Sequence, residues 1–282
     1  MTNSDDLHLS FEFFPAKTDE AMQALLHTAR QLNDYKPDLF TVTYGAGGST
    51  RDKTLDTALG IQKETQNATA AHLAGIGASQ AEIKALLASY KIHDIKHLVA
   101  LRGDVPSGMH DAGDFRHGID VVRFIREHSQ QHFQVIVAAY PEYHPQAINP
   151  DKDFQYFCDK VAAGADYAFT QYFFNPDAYF HFMDRCAAAG ISIPIIPGIM
   201  PMTNYRQLAR FSDACGAEIP RWIRQKLIHY DAREDKASLE AFGADVVALL
   251  CETLLGNGAS GIHFYTMNKF EPTAKIIEYL GF

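Results

Sequence analysis

The sequence predicts an α/β fold, a single (β/α)8 TIM barrel with extra helices between its seventh and eighth strands. Three observations carry that prediction. Eight short apolar runs, rich in β-branched and aromatic residues, fall at 7–13, 38–44, 68–75, 95–101, 133–140, 165–171, 192–199 and 259–266, each bounded by Gly, Pro, Asp or Asn. Amphipathic helical stretches separate them, and strand–helix–strand units imply right-handed parallel crossovers, eight of which close into a barrel. The turn after the first run, Phe14-Pro15-Ala16-Lys17, lacks the glycine-rich fingerprint that an open doubly wound sheet usually carries there.

Each element has its own signal. In the first run, alternation puts Ser10, Glu12 and Phe14 on one face and Leu9, Phe11 and Phe13 on the other. A carboxylate in such a run must be paired, protonated or useful. Thr18 caps a helix whose Met22, Leu25, Leu26, Ala29 and Leu32 fall at helical spacing, with Asp19 and Glu20 in its favourable first turn. The second strand leads into Tyr44-Gly45-Ala46-Gly47-Gly48-Ser49-Thr50, a turn whose backbone N–H groups can approach a ligand. Ser79-Gln80-Ala81-Glu82 is a capping box, followed by Ile83, Leu86, Leu87 and Tyr90 on one face. Asn149-Pro150 and Asn175-Pro176 each place an N-cap before a proline at the first helical position. The stretch 203–256 must hold the extra helices. No low-complexity linker or composition shift interrupts the chain, so 1–282 reads as one domain.

Lys plus Arg number 25 against 34 for Asp plus Glu, a formal charge of -9 with no basic block, which argues against nucleic acid and anionic membrane as partners. Cys158, Cys186, Cys215 and Cys251 stand too far apart for a zinc ribbon or a disulfide framework, and reduced thiols in a cytoplasm are expected. The polar, acidic N-terminus is unlike a signal peptide, and no apolar stretch approaches membrane-spanning length.

A barrel gathers function at the carboxyl ends of its strands. Those ends carry Glu12, Thr43-Tyr44, His72, Arg102-Gly103-Asp104, Tyr140, Gln171 and His263-Tyr265-Thr266. Any one of them can be a satisfied core residue or a turn cap; together they point to a site. His72, His144 and His263 lack metal-ligand spacing, no Lys stands at a strand end for a Schiff base, and no G-x-S-x-G elbow occurs. Two acids, one Arg, aromatics and amides suit a flat polar heterocycle, and hydride chemistry on a bound flavin better than hydrolysis.

Seven motifs then match a known family in order along nearly the whole chain. Ser10-Phe11-Glu12-Phe13-Phe14-Pro15, Thr41-Val42-Thr43-Tyr44-Gly45-Ala46-Gly47-Gly48-Ser49, Leu101-Arg102-Gly103-Asp104, Ala139-Tyr140-Pro141-Glu142-Tyr143-His144-Pro145, Thr170-Gln171-Tyr172-Phe173-Phe174, Pro197-Gly198-Ile199-Met200-Pro201 and His263-Phe264-Tyr265-Thr266-Met267-Asn268 closely resemble the methylenetetrahydrofolate reductases, in their bacterial, catalytic-domain-only form. The resemblance implies a (β/α)8 flavoprotein that uses NADH or NADPH and bound FAD to convert 5,10-methylenetetrahydrofolate into 5-methyltetrahydrofolate, in a ping-pong hydride transfer that supplies methyl groups for methionine synthesis. A homo-oligomer is also expected.

By the same resemblance Glu12 is the general acid, and burial among phenylalanines is expected to raise its pKa and keep a proton available. Asp104 matches a carboxylate beside flavin and pterin. Thr43, Tyr44, Ala46, His72, Arg102, Gly103, Tyr140, His144, Ala147, Asp153 and Lys160 match FAD-holding positions, with Arg102 and Lys160 as phosphate partners. Gln171 and Gln207 match substrate-binding amides. Phe211 matches a stacking aromatic, but with Leu208 and Cys215 it also forms an apolar helical stripe. The chain departs from the family pattern at His117-Gly118, in place of Tyr-Ala, and at Tyr156 and Asp159; Asp159 is expected to point away from a diphosphate. Lys269 stands where an Arg would hold the folate glutamate tail. Two other readings stay open at this point: a flavin-poor relative that takes electrons from a partner protein, and a non-catalytic folate- or flavin-binding barrel.

Overall fold

The computed structural model of the chain describes residues 7–44, 51–104 and 113–281. Nine parallel strands run in these segments: β1 (His8–Phe13), β2 (Leu39–Val42), β3 (Thr69–Ala74), β4 (His97–Leu101), β5 (Gln134–Ala139), β6 (Tyr167–Thr170), β7 (Ile195–Ile196), β8 (Gly198–Ile199) and β9 (Gly261–Tyr265). They are ordered β7-β6-β5-β4-β3-β2-β1-β9-β8, so from β1 to β7 each strand lies beside its sequence neighbour, while β9 lies between β1 and β8. Between β1 and β7 the connecting helices are α1 (Asp19–Asn33), α2 (Arg51–Thr65), α3 (Gln80–Ile92), α4 (Gly118–Ser129), α5 (Pro150–Ala162) and α6 (Pro176–Ala188). The long insertion forms α7 (Tyr205–Cys215), α8 (Arg221–Asp231) and α9 (Lys236–Gly256), and α10 (Glu271–Leu280) follows β9.

The expected strand 192–199 is interrupted, and the interruption closes the barrel. Pro197 has no N–H to continue a ladder. Ile195 and Ile196 therefore pair with β6, while Gly198 and Ile199 pair with β9. The Pro197 carbonyl accepts the His263 N–H at 3.0 Å, so the two short strands hand the ladder from one neighbour to the other across a single residue.

Caps fall where the sequence places them. Thr18, Asn149 and Asn175 accept backbone N–H groups at the starts of α1, α5 and α6, and Ser79 with Glu82 completes its capping box. Alternation then sorts the side chains. Phe11, Phe13, Phe40, Leu73 and Val137 pack in the shell between strands and helices, whereas Leu39, Ala70, Val99, Ile136, Phe169 and Ile196 form a separate buried cluster that fills the barrel. Ser10 and Glu12 share that inward side, one layer apart.

Candidate active site

The strand ends open into a cleft of about 1380 Å³. That exceeds the roughly 300–1,000 Å³ of an ordinary single-ligand pocket. Glu12 lies on its floor, in the register Glu12↔Thr41 with β2 and Glu12↔Tyr265 with β9. His72 Nε2 is 3.2 Å from Glu12 Oε2 and His263 Nε2 is 3.5 Å from it, while Thr41 Oγ1 donates to the same oxygen at 3.5 Å. The side chain keeps only 12% of its exposure.

This cluster reverses the expected pKa of Glu12. Burial does push the carboxyl up, as anticipated, but the imidazoles of His72 and His263 outweigh it and pull the group down to about 2. The phenylalanines beside it in sequence face the other way, into the outer shell. In the open cleft Glu12 is a carboxylate. His263 is fully buried, stacked on Phe169 with ring centroids 3.8 Å apart and planes 3° apart. Burial lowers its pKa, against the pull of Glu12, and so favours the neutral ring.

The second half of the cleft carries the cations Arg102 and Lys160. Arg102 donates to Gln146 Oε1 at 2.6 Å and to the Gly103 carbonyl, and Lys160 donates to the Ala138 carbonyl. Among the described residues, neither cation is ion-paired with a carboxylate. Gly103 adopts φ +86, a left-handed turn that brings the Arg102-Gly103-Asp104 backbone against Ile76 and Ala74, where a Cβ would meet Ile76 at 2.7 Å. Asp153 accepts the His144 N–H at 3.0 Å and so ties the 140–147 loop to α5, seven residues before Lys160. The Tyr140 ring packs edge-on against His144 at 4.8 Å.

Burial lowers the Lys160 pKa to about 8, with Asp153 opposing the shift. A diphosphate beside it must raise that value again. Binding of ADP at pH 8.5 is therefore expected to take up protons, and affinity to fall as pH rises past about 8. Calorimetry in buffers of different ionisation enthalpy reads the uptake directly. Lys160→Met should abolish it, and a wild-type uptake of zero would remove Lys160 from the anion site.

Of the sequence-predicted site residues, Glu12, Thr43, Tyr44, His72, Arg102, Gly103, Asp104, Tyr140, His144, Ala147, Asp153, Lys160, Gln171 and Phe211 all line this one cleft. Gln207 and Lys269 do not. Gln207 sits half-buried in the first turn of α7, one turn before Phe211, and Lys269 is exposed beyond β9. Ala46 and the glycine-rich run 45–50 lie outside the described residues. The apolar stripe of α7 divides: Leu208 enters the core, while Phe211 and Cys215 form cleft wall. Asp159 lines the cleft, with its Oδ1 held by Gln155 Nε2 at 2.8 Å. His117 and Tyr156 line it too, their rings 6.2 Å apart and inclined by 19°.

Ser10, His263 and Tyr265 have no chemical part in the sequence reading, although His263 and Tyr265 stand among its strand-end residues. Ser10 Oγ lies 2.8 Å from His263 Nδ1, and the Tyr265 hydroxyl, in the cleft wall, donates to the Thr170 carbonyl at 2.7 Å. Alternation marks Ser10 and His263 as inward-facing, but their contact depends on β1 pairing with β9, across the whole length of the chain.

The family model described as methylenetetrahydrofolate reductase matches residues 1–281. The chain is 37% identical over 275 residues to 5,10-methylenetetrahydrofolate reductase of Escherichia coli (strain K12), covering 98% of this chain and 91% of that protein. It is 33% identical over 294 residues to methylenetetrahydrofolate reductase (NADH) 1 of Arabidopsis thaliana, of which it spans 49%. Among solved structures, a Clostridium thermocellum protein that binds two copies of 5-methyl-5,6,7,8-tetrahydrofolic acid superimposes with a TM-score of 0.67 at 15% identity, over 97% of this chain and 94% of the other. At that identity the likeness shows the fold alone.

Proposed function

Because the chain belongs to the methylenetetrahydrofolate reductase family, we propose that it reduces 5,10-methylenetetrahydrofolate to 5-methyltetrahydrofolate with hydride from NADH or NADPH by way of bound FAD, as one barrel domain over 1–282. The observation that carries this reading is the position of Glu12, an inward carboxyl on the floor of a large cleft, with Asp104, an acid at the end of β4, among the residues of the cleft wall. FAD, when bound, supplies reversible hydride acceptance.

The residues present fit that cofactor. His72 lines the cleft beside Glu12, its Nε2 3.2 Å from Glu12 Oε2. Arg102 and Lys160 offer a fork and a point charge to a diphosphate. Thr43, Tyr44, Ala46, Gly103, Tyr140, His144, Ala147 and Asp153 complete the FAD-holding set. Gln171, Gln207, Phe211 and Lys269 serve the substrates, Gln171 and Phe211 from the cleft wall and the other two from its approaches.

Glu12 protonates the folate so that its five-membered ring opens. A carboxyl held at about 2 in the open cleft does not yet carry that proton. Its proton affinity must rise when bound ligands expel water and deepen its burial, which is the direction desolvation acts. Asp104 is exposed at the rim and stabilises developing positive charge on the substrate.

Anaerobic stopped-flow absorbance tests the proposal. NADH or NADPH should bleach the FAD-loaded protein and 5,10-methylenetetrahydrofolate should restore its colour; bleaching without recovery would overturn it. In Asp104→Asn the flavin potential, read against a reference dye, is expected to rise as a nearby negative charge is lost. An unshifted potential would return Asp104 to its turn.

A further inference from the structure

We propose that Ser10 and His263 are positioning residues for Glu12: the Ser10 hydroxyl donates to His263 Nδ1, fixing the neutral ring as its Nε2–H tautomer, and that N–H holds Glu12 Oε2 so that Oε1 is the oxygen presented to substrate. This rests on the reading of Glu12 as the proton donor. The register Ser10↔His263 places the two residues side by side on the inward face of β1 and β9, both with zero exposure and 2.8 Å apart. A neutral imidazole carries one N–H. Were it on Nδ1, the Nε2 lone pair would face the Glu12 carboxylate at 3.5 Å, acceptor against acceptor. Were both nitrogens protonated, a fully buried cation would stand beside the further imidazoles of His72 and His8, and burial outweighs the pull of Glu12 against that form. Of the two neutral tautomers, only Nε2–H gives both ring nitrogens a matching partner.

The carboxylate is held on one side. Thr41 from β2, His72 from β3 and His263 from β9 all approach Oε2, and among the described residues none approaches Oε1. Among the described residues Tyr265 also faces Glu12, and its hydroxyl is engaged by the Thr170 carbonyl. The face-to-face stack on Phe169 stops the His263 ring from turning, so the direction of its N–H is set by the fold.

Long-range 15N–1H correlation NMR on ligand-free protein with 15N-labelled histidine reads the tautomer. His263 is expected to show an unprotonated Nδ1 and a protonated Nε2 at pH 7; the opposite pattern overturns the proposal. In Ser10→Ala, carboxyl 13C titration should find the Glu12 midpoint moved up by roughly half a unit to one unit, the size of one hydrogen bond's net effect. Ser10→Thr should restore it. An unmoved midpoint with an unchanged tautomer in Ser10→Ala overturns the chain of bonds, and if that variant does not fold the wild-type tautomer decides alone. Both readings are taken without ligands. They are therefore separate from folate turnover in Glu12→Gln, on which the donor reading stands or falls.

Discussion

Glu12→Gln is expected to leave reduction of the bound flavin by NADH or NADPH close to the wild-type rate while folate reduction falls by about 10²–10⁴-fold, the usual worth of a positioned acid. Only the second half-reaction consumes the proton that Glu12 delivers. Glutamine keeps the shape and can still meet Thr41 and the two imidazoles, so the cleft floor should survive the change. Single-turnover absorbance separates the two steps. If Glu12 served only to hold His72 and His263 in place, both steps would slow together and the acid would be a scaffold residue.

The same substitution has a second, independent signature in stability. The folded carboxyl sits at about 2 against an ordinary 4.5, so wild-type Glu12 contributes stability that is fully present above 4.5 and is lost as pH falls through 2. Glu12→Gln lacks that dependence. Its unfolding free energy should decline less steeply than wild type across this acid window, as denaturant titrations at stepped pH would read. Parallel decline in the two proteins would mean that the imidazoles do not hold Glu12 ionised.

The fold was legible from local signals because each of them has a local cause: period-two alternation in β1, the Thr18 and Ser79 caps, and the Asn-Pro helix starts depend on residues within a turn of one another. The strand-end rule then gathered Glu12, Thr43, Tyr44, His72, Arg102, Gly103, Asp104, Tyr140 and Gln171 into one cleft without any knowledge of contacts, and the family resemblance added His144, Ala147, Asp153, Lys160 and Phe211. What stayed hidden was long-range. The pKa of Glu12 depends on His72 and His263, 60 and 251 positions away, and its sequence neighbours Phe11 and Phe13 misled because a strand buries them on the opposite side. The split of the seventh strand was written locally in Pro197, but the consequence, a change of partner from β6 to β9, required the closed barrel.

That closure is also where a one-methyl change should do most damage. Gly198 passes so close to β6 and β9 that an added Cβ would lie 2.1 Å from the Thr170 carbonyl oxygen and 2.7 Å from the Tyr265 ring. The first neighbour is backbone and cannot swing aside. The Gly198 N–H donates to Thr170 Oγ1 at 2.9 Å, and Tyr265 donates to the Thr170 carbonyl, so the contact joins three strands through one threonine. Gly198→Ala must push β8 off β6, break those bonds and displace Tyr265 from the cleft wall. The cost is expected to exceed about 3 kcal/mol, beyond ordinary overpacking because the clash is with main chain. Thermal unfolding followed by circular dichroism should show a fall in Tm on the order of 10 °C, or no soluble protein. Gly256→Ala, at the end of α9 with nothing within 4 Å, is the matched control and should be neutral or slightly stabilising. A Gly198→Ala protein within about 1 kcal/mol of wild type would mean that the barrel does not close through β8 in this register, since no lesser adjustment makes room for a methyl group against a carbonyl oxygen.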